Sequence, residues 1–116
     1  MIVVYTRGKA SVLAKHIIEA LRKNSIPEWI IDSENDLTLS NVQWRHKSWM
    51  RIKYLSTNDQ ILQFAMIGPA STYITSDLYA DFHSKLAEML LKNFDTEIQS
   101  IDISSALTVG VDESVN

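Results

Sequence analysis

Apolar and polar residues alternate most clearly between Val42 and Gly68. Val42, Trp44, Met50, Ile52 and Tyr54 share one parity, and Gln43, Arg45, Lys47, Arg51 and Lys53 share the other. A strand sends successive side chains to opposite faces, so the pattern predicts one apolar and one basic face. His46, Ser48 and Trp49 are the exceptions. Ser56-Thr57-Asn58-Asp59 is turn chemistry, because Asn and Asp accept left-handed backbone angles. Gln60 to Gly68 supplies a second strand with Leu62, Phe64 and Met66 on one side. Pairing Tyr54 with Leu62, Ile52 with Phe64 and Met50 with Met66 joins the apolar faces. The same register sets Lys53 against Gln63, Arg51 against Ala65 and Trp49 against Ile67, and a slip of one residue would lose the match. An unbroken strand from Val42 to Ser56 would span about 50 Å, which is long for a strand. The alternatives are one bent strand or a break near His46-Lys47-Ser48.

The flanking segments change period. Ile2 to Thr6 is a short β-branched run and predicts a buried strand. Ala10 to Asn24 predicts a helix with Ala10, Leu13, Ala14, Ile17, Ile18 and Leu21 as its apolar stripe, ended before Pro27. Glu28 to Asp32 predicts a short strand and Ser33 to Asn41 a polar loop, with Leu37 and Leu39 tucked inward. A second helix is expected from a cap at Thr75, Ser76 or Asp77 to about Asn93. Leu78, Phe82, Leu86, Met89 and Leu90 would line its buried face. Thr96 to Ile103 predicts a last strand, and Ala106 to Val111 a weak further pairing. The expected fold is α+β, a two-layer sandwich with order β-α-β-β-β-α-β. Two amphipathic helices would pack on one face of a mixed, mostly antiparallel sheet. Residues 1–103 form one domain in this reading, and 104–116 an acidic, partly disordered tail that frays from Asp112.

Composition adds little to the fold and more to what is excluded. Apolar residues make up 46% and charged residues 22%, the globular average. There is no cysteine, so no disulfide, thiolate metal site or cysteine nucleophile is expected. Together with an N-terminus unlike a signal peptide and no long apolar run, this fits a cytoplasmic protein with no membrane association. All eleven Lys and Arg lie at or before Lys92, while five of the fourteen acids follow it. A second acidic run, Glu28, Asp32, Glu34 and Asp36, precedes the basic strand and is expected to neutralise it within the fold or in a dimer.

Candidate chemistry is sparse. Gly8-Lys9-Ala10-Ser11 sits where a phosphate loop would, but the signature's earlier glycine and its hydroxyl directly after lysine are missing. The strand Val3 to Arg7, the following helix, then Ile26-Pro27 and a strand resemble the opening of a glutaredoxin. That family's redox chemistry needs a cysteine at the helix start, where Gly8 to Ser11 stand, so the resemblance implies shared strand-helix-strand geometry alone. Asp32-Ser33-Glu34-Asn35-Asp36 lacks the glycine and glutamate of a calcium loop. His16, His46 and His83 have no partner at metal-ligand spacing, and no nucleophile elbow occurs. No cofactor, metal or catalytic residue is therefore expected.

The one constellation is Arg45, Lys47, Trp49, Arg51 and Lys53, with Ile67 opposite Trp49. Exposed Trp and Arg favour protein contact, so the expectation is a non-enzymatic interaction or adaptor module whose partner is another protein or a second copy, as a homodimer. The alternative is nucleic-acid binding on the basic strand, by phosphate pairing and base stacking.

Overall fold

A computed structural model of the chain describes residues 1–55, 57–68, 74–107 and 112. Its strands are β1 (Ile2–Thr6), β2 (Trp29–Ile31), β3 (Asp36–Leu39), β4 (Trp49–Leu55), β5 (Asn58–Ile67) and β6 (Ile98–Ile103). Its helices are α1 (Ala10–Arg22) and α2 (Ser76–Phe94), and a single 3-10 turn, Asp95–Glu97, links α2 to β6. The class is α+β. The six strands lie in the order β2-β3-β4-β5-β1-β6, and every pairing among them is antiparallel.

Three expectations need correction. The sheet is antiparallel throughout, not mixed. β1 and β2 are separated by three strands, so the unit around α1 does not join parallel neighbours. The expected polar loop contains a strand, β3, which adds one member to the predicted order. Of the two alternatives for Val42 to Ser56, the chain takes the break near His46-Lys47-Ser48, but no strand runs from Val42 to it. Residues 42–47 form turns, and β4 begins at Trp49. His46 has φ of 61°, a left-handed angle that no regular strand contains.

The hairpin register is as the alternation requires. Trp49 pairs with Ile67, Met50 with Met66, Arg51 with Ala65, Ile52 with Phe64, Lys53 with Gln63 and Tyr54 with Leu62. The expected turn is shorter than the four residues assigned to it, since Leu55 pairs with Asn58 and Ser56 lies outside the described residues. The possible strand from Ala106 also falls largely outside them.

One core holds the molecule together. It draws Leu13, Ile17 and Leu21 from α1 and Leu78, Phe82, Leu86 and Leu90 from α2. From the sheet it takes Ile2, Val4, Trp29, Leu37, Leu39, Met50, Leu62, Phe64 and Met66. The pairings place all of these strand residues on one face. The helix ends follow local chemistry. Asn24, with φ of 56°, closes α1, and the Asn24 and Ser25 N–H groups return to the Leu21 and Ala20 carbonyls. Thr75 caps α2 by accepting from the Leu78 N–H at 3.2 Å.

Candidate interaction surface

The opposite face of the sheet carries Val3 and Tyr5 from β1, Ile30 from β2, Trp49, Arg51 and Lys53 from β4, and Ile61, Gln63, Ala65 and Ile67 from β5. None of its apolar side chains belongs to the core cluster. Most are half-buried, because neighbours on a flat sheet shield one another, and Ala65 is fully buried among larger side chains.

Four of the six predicted site residues, Trp49, Arg51, Lys53 and Ile67, therefore share this outer face. Arg45 and Lys47 do not, since they sit in the 42–47 turns. Arg45 donates from Nε and Nη2 to the Ser40 carbonyl, at 3.0 and 2.7 Å, which closes that turn on itself. The Trp44 indole donates to Asp81 at 2.6 Å and ties the same turn to α2. On the outer side, the His46 N–H reaches the Thr38 hydroxyl at 3.2 Å, and the His46 ring lies 6.2 Å from that of Trp49.

The arginine on this face is already paired within the chain. Arg51 makes two parallel bonds to Asp36, Nε to Oδ1 at 2.9 Å and Nη2 to Oδ2 at 2.8 Å, with Glu34 3.8 Å away. Asp36 is nearly buried at its side chain, 6% exposed, whereas Arg51 is 38% exposed. A fork-to-fork pair of this kind fixes geometry as well as charge. It also explains how β3 can bury an aspartate, the signal that a reading by hydropathy misses.

The remaining candidates resolve into structural roles. Asp32 spends one carboxylate oxygen on the backbone N–H groups of Glu34 and Asp36, so the calcium-like run builds the β2–β3 turn. At the start of α1, where a phosphate would bind, the Asp59 carboxylate accepts from the Ser11 N–H and hydroxyl at 3.2 and 3.3 Å. His16 is exposed and meets Glu97 at 2.8 Å.

His83 sits in the core at 2% exposure. Its ring stacks on Tyr79 at 3.7 Å. Nδ1 donates to the Tyr79 carbonyl at 2.7 Å, leaving Nε2 to accept from the Met1 ammonium at 3.0 Å. The same ammonium bonds Asp112 and the Tyr79 hydroxyl, both at 3.1 Å. Burial first, and the Met1 ammonium second, push the His83 pKa down to about 4, so the ring is neutral at pH 7. Burial, with Asp112 adding to it, pushes Tyr79 up to about 12. A cleft of about 540 Å³ lies beside Tyr79, bordered by Thr75, Ser76, Ser105 and Ala106. The Tyr79 hydroxyl is engaged by the Ser104 and Ala106 carbonyls at 2.6 and 2.9 Å, which leaves it no proton to give a ligand.

Among the described residues, no group of three His, Cys, Asp or Glu side chains is placed to hold a metal ion, and no helix is long and apolar enough to cross a membrane. Comparison with protein-family models, with curated proteins and with solved structures returned no match.

Proposed function

We propose that the chain is a non-enzymatic interaction module that self-associates through its outer sheet face. In this reading both helices form a second layer against the inner face, and a second copy of the chain covers the outer one. The supporting observation is an apolar face whose arginine is already paired within the chain. Trp49, Ile67, Ile61, Tyr5 and Val3 surround an arginine whose charge is met by Asp36 and Glu34 of the same chain. A strongly basic face would select an acidic partner, whereas one whose arginine is neutralised in place repels its own copy less across a two-fold axis.

Size is compatible. Six strands at about 4.8 Å, each about five residues long at about 3.3 Å per residue, present roughly 500 Å² in projection. The accessible area exceeds the projection, and a standard interface buries about 800 Å² per partner. Nucleic-acid binding is the less supported reading, because Arg45 and Arg51 are both engaged within the fold.

Sedimentation velocity over a wide concentration range tests the proposal. The wild type should sediment as a dimer, and Ile67→Lys should weaken association by at least about tenfold, the cost of one unfavourable contact of about 1.4 kcal/mol. The variant's far-UV circular dichroism should be unchanged. Two results would remove the face from consideration: a wild type that stays monomeric at the highest concentration, or an Ile67→Lys variant that dimerises equally well.

A further inference from the structure

The register of the strands lines up one row of side chains across the outer face. Asp102 of β6 pairs with Val3 of β1, Val3 with Gln63 of β5, and Gln63 with Lys53 of β4. Directly opposed residues on antiparallel strands project from the same face, so all four point away from the core. The row reads acid, apolar, amide, base. Successive strand spacings of about 4.8 Å set its two ends about 14 Å apart, too far for Lys53 and Asp102 of one chain to pair. Asp102 is exposed. The rows on either side carry no such contrast: Tyr5 stands beside Ile61, and Arg51 is held by Asp36.

A charge pattern that changes sign across a midline selects how two copies can stack. A two-fold axis between the stacked faces and parallel to the strands exchanges left for right. Placed midway between β1 and β5, it sets Val3 of one copy over Gln63 of the other, and each Lys53 over the other copy's Asp102. The two strands at the axis then bring together Val3, Tyr5, Ile61, Ala65 and Ile67, most of the face's apolar side chains. Moved onto β5, the same axis would press Lys53 onto Val3. An axis across the strands would lay β4 over β4, with Arg51 and Lys53 on both sides. Packed sheets cross at about 30°, which moves the ends of the row by about 4 Å, within the reach of a lysine stem. Lys53 also has an interaction within its own chain, and the three donors of an ammonium serve more than one acceptor. From this row, and resting on the self-association proposed above, we infer that the outer face dimerises about a two-fold axis running along the strands between β1 and β5, with Lys53 of each copy paired to Asp102 of the other.

Sedimentation velocity at low salt tests the register with Lys53→Asp and Asp102→Lys, each checked for an unchanged far-UV circular dichroism spectrum. In a two-fold dimer every contact occurs twice, so either reversal turns both pairs repulsive. Each variant alone should associate at least about tenfold more weakly than the wild type. An equimolar mixture of the two should regain wild-type association, because one variant then offers only carboxylates at these positions and the other only ammonium groups. The double variant Lys53→Asp with Asp102→Lys should also dimerise like the wild type. Salt at about 1 M, where screening acts within about 3 Å, should shrink all these differences. Single variants that dimerise as the wild type does, or a mixture as weakly associated as its components, would overturn the register while leaving the face as the site of association. A wild type that stays monomeric would overturn both.

Discussion

The two faces of the sheet use the same strands for opposite purposes. On the inner face, Ile2 of β1 pairs with Phe64 of β5, and Met66 of β5 with Met50 of β4 and so with Leu37 of β3, and all five are fully buried. One residue further along each strand, the outer face sets Val3 against Gln63 and Lys53, and Ala65 against Arg51 and Asp36. Charge is treated differently on the two sides. The inner side keeps the His83 ring neutral, while the outer side holds an ionised pair by mutual bonding. The lesson is that alternation decides which residues share a face, and pairing between strands decides what that face can then do.

Truncation should separate the faces most sharply. Phe64→Ala removes a fully buried ring and should cost about 3–5 kcal/mol in denaturant unfolding. Trp49→Ala, one strand away on the half-buried side, should cost distinctly less while abolishing association. Equal losses of stability would mean that both faces are core.

Acid should act through the inner side. The His83 pKa falls to about 4 in the folded chain against 6.5 unfolded, so the unfolded chain takes up the proton first. Stability from this group is complete above pH 6.5, declines as pH falls toward 4 and is lost below that. A shift of this size corresponds to approximately 3 kcal/mol. Comparing unfolding free energies of the wild type and His83→Phe between pH 7 and pH 4 should show a shallower decline in the variant. Parallel curves would mean the ring is protonated in the fold.

The outer pair should respond next. Asp36→Asn leaves Arg51 half-satisfied and should cost about 2 kcal/mol, less than a fully buried pair because Arg51 reaches solvent. The double change Asp36→Leu with Arg51→Met should recover much of that loss in stability. The smallest effect belongs to Asp59→Ala, which removes the carboxylate at the start of α1 and should cost about 1 kcal/mol.

The β4–β5 hairpin was legible because Met50, Ile52 and Tyr54 match Met66, Phe64 and Leu62 in one register and in no other. The stretch from Asp36 to Ser48 was not. Asp-Leu-Thr-Leu does alternate, yet its two polar members are buried, Asp36 by Arg51 and Thr38 by the His46 N–H. Those partners are far enough along the chain that hydropathy alone assigns the segment to solvent. Continuing the alternation backward from Trp49 failed for a related reason. Trp44 gains a carboxylate on α2, and Arg45 gains the Ser40 carbonyl, only when residues 42–47 turn. The burial of His83 was not legible, because the partner of its Nε2 is Met1, at the other end of the chain.

The self-association account is tested most directly by a distance between copies. The chain has no cysteine, so one introduced at Lys53, on the outer face, or at Leu91, exposed on α2, takes a single spin label. Facing sheets pack about 10 Å apart. With the label arms added, Lys53→Cys should give an intermolecular distance within about 30 Å, and Leu91→Cys a clearly longer one. A short distance from the Leu91 label, or none from the Lys53 label at concentrations where the protein is dimeric, would contradict the account.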